Sequence, residues 1–175
     1  MSIDKDIKRY ASRLSSYKNR DVRQAAATAL SKTTAKAKTR SIRGIAKSTK
    51  LPVNIIRRKI YVKRAKVSRL RAALKAYRTP VSLMRLRPKQ TSRRRRNGGV
   101  RAGKHFVRGA FIVNGKQVFK RIGKGRLPIE VQRIKIEKVV EEVSITVCKR
   151  VMKQEFKRIM LHELKYRLSK YTSRG

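Results

Sequence analysis

Residues 105–136 read HFVRGAFIVNGKQVFKRIGKGRLPIEVQRIKI. Asn114-Gly115 stands between two apolar runs, and a pair that tolerates positive φ at both positions is the strongest short-range hairpin signal. Pairing across a two-residue loop puts Phe111 opposite Val118. Gly123-Lys124-Gly125 turns the chain again, and Pro128 leads into a further strand carrying Ile129, Val131, Ile134 and Ile136. A hairpin over residues 106–122 with that strand beside it predicts a small antiparallel sheet at the centre of the fold.

Working outward, residues 137–171 read as one long helix, with Val140, Val143, Val147, Val151, Met152, Phe156, Ile159, Leu164, Leu168 and Tyr171 at helical spacing. On the other side, residues 88–103 contain RRRRNGG and almost no apolar side chain, which predicts an exposed loop. Residues 60–65 and 72–86 hold the short strand-like pieces YVKRA and TPVSLMRL. Pro52 ends the preceding helix near Thr49 and opens a short one through Arg58. Residues 22–47 are Ala-rich and predict a helix on the order of 40 Å long, with Ala26, Ala29, Leu30, Thr33, Ala37 and Ile45 as its packing face. Residues 3–17 read as a separate amphipathic helix through Ile3, Ile7, Tyr10 and Leu14, with Asn19 and Asp21 turning the chain and capping the Ala-rich helix. The class is α+β, one structural unit in three regions: a helical part over 1–58, a sheet part over 59–136 with its basic loop at 88–103, and a C-terminal helix over 137–175.

The 175 residues carry 51 Lys+Arg against 9 Asp+Glu, a formal net charge of +42. Residues 22–129 contain 33 Lys+Arg and no acid. Self-repulsion on that scale has to be screened by a polyanion, an acidic partner or high salt, so a metabolic enzyme acting alone fits poorly. At 39% hydrophobic residues the chain can still build a modest core. No stretch approaches the roughly 18 consecutive apolar residues of a membrane span, and the mixed charges of residues 1–20 do not resemble a signal peptide. A cytosol-like space and no membrane partner are expected.

Catalytic and metal chemistry find no candidate. His105 and His162 lack ligand-spaced neighbours, Cys148 reads as a small packing residue, and Glu137, Glu141 and Glu142 beside Lys138 read as solubilising or inter-subunit ion pairs. Residues 123–125 are too short for a phosphate-cradling loop. No cofactor is expected. The nucleic-acid-binding candidates are Arg93, Arg94, Arg95 and Arg96 beside Gly98 and Gly99, then Arg101 and Lys104, and Lys36, Arg40 and Arg43 on the Ala-rich helix. Without a base-reading motif their contacts would be to phosphates and tolerant of sequence. Composition leaves two classes open: a ribosomal or other RNA-binding structural protein, and a structural protein beside packaged DNA.

Order and spacing carry a resemblance. A GAFI segment at 109–112, a strand ending in Arg at 119–121, a Gly-Lys turn at 123–124 and an L-P-I-E-V string at 127–131 succeed one another. Upstream come an Ala-rich helix (25–29), Thr49-Lys50 before a break, Pro80-Val81 and the arginine run. Together they resemble the minor tail protein Z family, tail completion proteins of lambda-like long-tailed bacteriophages, over about residues 5–170. The resemblance implies a virion component at the neck, the head-proximal end of the tail, that completes tails, assists head–tail joining and places the DNA end. It implies neighbouring ring proteins (terminator, tube and tape measure), a double-stranded DNA end bound without sequence reading, a homo-oligomer that is by default a hexamer, and assembly in the host cytoplasm. It implies no catalysis.

Overall fold

The structure, a computed structural model, describes residues 3–91, 98–123 and 125–172, with side chains from Asn19 to Arg167 and at Ser169. The fold is α+β. Helix α1 runs without interruption over Ile3–Thr49, about 70 Å at 1.5 Å per residue. The break expected near residues 19–21 is absent. Asn19-Arg20-Asp21 contains neither Pro nor Gly, so each residue costs the helix only tenths of a kcal/mol, less than nucleating a second helix.

Every fourth residue of α1 from Ala25 is buried: Ala29, Thr33, Ala37, Ser41, Ile45 and Thr49 complete the row. This is the i±4 ridge along which helices interdigitate. Four members of the expected face lie on it, whereas Ala26 and Leu30 are only half-buried. The two buried threonines are satisfied within the helix, Thr33 Oγ1 donating to the Ala29 carbonyl at 2.7 Å and Thr49 Oγ1 to that of Ile45 at 2.6 Å. Short helix α2 (Val53–Arg57) comes next, and α3 spans Glu137–Thr172. Both match their expected positions.

The chain divides into two compact units. Unit 1 comprises Met1–Ser41, Ile60–Lys75 and Ser144–Gly175. In it, α1 and α3 pair antiparallel: Arg167 Nη1 donates to Gln24 Oε1 at 2.6 Å, Lys32 meets Glu163 at 2.5 Å, and Lys36 meets Glu155 at 2.9 Å. Buried Val151, Glu155, Ile159 and Glu163 give α3 its own four-residue row. Strands β1 (Ile60–Lys63) and β2 (Ala73–Ala76) form a two-stranded ribbon, and the chain after β1 is tied to α1 by Ala65 N–H donating to Ser31 Oγ at 3.1 Å.

Unit 2 comprises Ile42–Lys59 and Ala76–Val143. Its strands are β3 (Val81–Ser82), β4 (Lys89–Gln90), β5 (Gly99–Ala102), β6 (His105–Arg108), β7 (Ala110–Val113), β8 (Gln117–Arg121), β9 (Ile129–Val131) and β10 (Arg133–Ile134). They divide into a β10-β3 pair and two three-stranded antiparallel ladders, β4-β5-β6 and β7-β8-β9, where a single sheet was expected. Gly109, at φ +73, breaks the expected long strand between β6 and β7 and sends its halves to different ladders. The piece LMRL, expected as strand, is a 3-10 turn capped by Ser82 and ended by Arg87 at φ +51. A core of Leu83, Val100, Ala102, Ala110 and Val118 joins these elements.

The Asn-Gly hairpin is present, with Asn114 and Gly115 at φ +48 and +64. Its register differs from expectation by one residue: Phe111 pairs with Phe119, and Val118 with Ile112. Lys116 N–H closes the turn onto the Val113 carbonyl at 3.0 Å, yet Val113 pairs with Gln117, so Lys116 is an extra residue in the loop. Burial decides this, because the observed register turns Val118 and Ala110 into the core together.

Candidate nucleic-acid interface

The arginine run Arg93, Arg94, Arg95 and Arg96 lies outside the described residues. Its flanks do not. Residues 88–103 were expected to be loop, but β4 and β5 pair antiparallel there, Gln90 opposite Val100, because Val100 and Ala102 are buried against the core. The Thr91 backbone N–H donates to the Gly99 carbonyl at 2.9 Å, and Gly99 N–H donates to Thr91 Oγ1 at 2.9 Å. The run is therefore flanked by two residues bonded to each other. Arg101 is exposed on β5 and Lys104 in the turn between β5 and β6.

On α1 the candidates have a different status. Lys36 Nζ lies 2.9 Å from Glu155 Oε2 and Arg40 Nη2 lies 2.8 Å from Oε1, while Arg158 adds a third contact at 2.7 Å. The Lys36 and Arg158 hydrogen bonds hold the Glu155 carboxyl down to about 2. Both candidate cations thus already face an internal anion. Arg43 is exposed in unit 2. Sequence reading passed over Glu155 and Glu163 as partners, although both fall in the four-residue row with Val151 and Ile159. Of the acids read as solubilising, Glu141 accepts from Arg78 Nη1 at 2.9 Å, and Glu137 lies 3.8 Å from the same nitrogen.

The sequence profile described as prophage minor tail protein Z (GPZ) matches residues 5–174, nearly the whole chain. The chain belongs to the minor tail protein Z family. No curated protein and no solved structure matches it.

A minor tail protein Z is a phage tail structural protein, a component of the virion, and the ribosomal alternative gives way to that assignment. Among the described residues of this tail protein, no group of three or more His, Cys, Asp or Glu could hold a metal ion, and no helix is long and apolar enough to cross a membrane. Cys148 is half-buried, and burial pushes its thiol up. Lys59 is a buried cation of unit 2: its Nζ donates to the Thr79 carbonyl at 2.7 Å and to Thr79 Oγ1 at 2.6 Å. Burial, with Arg85 nearby, lowers its pKa. On the face of β7-β8 away from the core, Phe111 and Phe119 stack at 6.3 Å, and the Arg121 guanidinium lies 5.9 Å from the Phe111 ring centre. With a formal net charge of +42, this minor tail protein Z is strongly cationic.

Proposed function

We propose that this tail protein acts at the neck: it completes the head-proximal end of the tail, assists head–tail joining and places the DNA end through its basic surface. The carrying observation is the run of 33 Lys+Arg without one acid over residues 22–129. Family membership supports a position in the tail, and the end of a packaged genome is the polyanion available to a virion protein of this charge. Phosphate neutralisation gives affinity through released counterions and does not depend on base sequence. Neighbouring ring proteins (terminator, tube and tape measure) would hold it in place, as a homo-oligomer with a hexameric ring as the default.

Deleting the protein from its phage tests the reading. Heads filled with DNA, tails of normal length and poorly infectious particles are the expected result. Empty heads, or tails of altered length, would overturn the neck assignment.

A further inference from the structure

Two adjacent recesses lie within unit 2. One, of about 450 Å³, is lined by Ser48, Lys50, Lys104, Arg133 and Lys135 around an apolar floor that includes Leu83 and Ile134. The other, of about 600 Å³, is lined by Lys47, Lys50, Arg85, Arg87 and Lys104 over Leu51 and Leu86. Their linings share two residues, Lys50 and Lys104. Among the described residues no carboxylate lines either recess, and neither shared lysine takes part in an ion pair.

Backbone geometry places both lysines. Lys50 leaves the end of α1 at φ +53, with Leu51 N–H donating back to the Ala46 carbonyl at 3.2 Å. Lys104 comes directly after Gly103, at φ +58, in the turn that Ala102 and His105 close by pairing. Two unrelated turns thus bring residues 54 apart in sequence to one ridge between two cavities.

We propose that this ridge seats the phosphodiester backbone of duplex DNA, with Lys50 and Lys104 as central contacts and the two recesses receiving phosphates on either side. The proposal deepens the DNA-end reading and rests on it. Clefts lined by one sign of charge over low-dielectric walls focus the field, and both recesses have that form. The contrast with unit 1 is direct, since Lys32, Lys36 and Arg40 there meet Glu163 or Glu155. Unpaired cations can exchange condensed counterions for phosphate, which the paired ones can do only by giving up a carboxylate.

The test uses the full chain and a blunt 30-base-pair duplex, with affinity measured between about 50 and 200 mM salt. Asn tolerates the left-handed backbone at position 50, so the variant is Lys50→Asn with Lys104→Gln. Lys149→Gln with Lys153→Gln on α3 removes the same charge elsewhere. The ridge variant should lower the slope of log affinity against log salt by about 2, one unit per phosphate contact. The α3 variant should leave the slope near that of the parent, and Lys50→Arg with Lys104→Arg should restore it. Equal slopes for the ridge and α3 variants would overturn the ridge while leaving DNA binding intact. A parent protein whose affinity ignores salt would instead overturn the DNA reading beneath it. Competition by poly-glutamate as effective as that by duplex DNA would assign the ridge to an acidic protein and overturn the proposal as well.

Discussion

A Cβ built on Gly44 of α1 would stand 2.9 Å from Cγ1 of Val143 on α3. The segments of α1 and α3 that belong to unit 2 approach that closely because one of them has no side chain there. Gly44→Ala should lower stability by about 1 kcal/mol, overpacking of roughly 1–3 kcal/mol being partly offset by about 1 kcal/mol of helix propensity. In a Val143→Ala background the clash is gone, so the same change should stabilise. Melting the four proteins of this cycle checks the sign reversal, and the same sign in both backgrounds would refute the contact.

Glu155 makes the second prediction. Its folded pKa is held down to about 2, while an unfolded glutamate titrates near 4.3. The unfolded chain takes up the proton first as pH falls. The stabilisation is therefore whole above about pH 5 and is lost progressively as pH drops through the folded value. Glu155→Gln should be less stable than the parent at pH 6 and show a shallower loss between pH 5 and pH 3. Parallel pH curves for the two proteins would show that the Lys36, Arg40 and Arg158 contacts do not act on stability.

Ser41 is fully buried, and its Oγ has no hydrogen-bond partner among the described residues. An unsatisfied hydroxyl costs about 1–3 kcal/mol, and Ala is the better helix former. Ser41→Ala should raise the melting temperature, with a gain of about 1 kcal/mol in chemical denaturation. A loss would mean that the hydroxyl is satisfied in solution.

Gly115 and Gly123 both face open space, but only Gly115 has positive φ, at +64. Gly115→Val should cost about 1–3 kcal/mol through backbone strain, whereas Gly123→Val should change stability by less than about 0.5 kcal/mol. Side-by-side melts at one salt concentration read the difference. Equal melting points would remove the Asn-Gly turn as an organiser of β7 and β8.

Local signals carried a definite part of this fold. The apolar spacing of residues 137–171 predicts α3, Pro52 predicts the end of α1, and Asn114-Gly115 predicts a turn; each depends on propensity or backbone sterics within a few residues. The acid-free stretch over 22–129 is equally plain, because charge is a property of composition. What that reading missed was set by helix cooperativity in one place and by the core in another. Continuity through Asn19 to Asp21 reflects the cost of nucleating a new helix, which no turn residue there repays. The pairing of Phe111 with Phe119 is set by which residues the core of unit 2 accepts.

The candidate interface divides in the same way. Sequence alone determined that this protein is strongly cationic and that its net positive charge concentrates in its middle, where no acid falls, since both are sums over residues. Tertiary structure decided which of those cations already have an internal anion. Lys36 and Arg40 meet Glu155 from 119 and 115 positions away, while Lys50 and Lys104 come to one ridge from separate turns. Coulomb energy depends on distance and dielectric, and for residues this far apart along the chain only the folded backbone sets the distance.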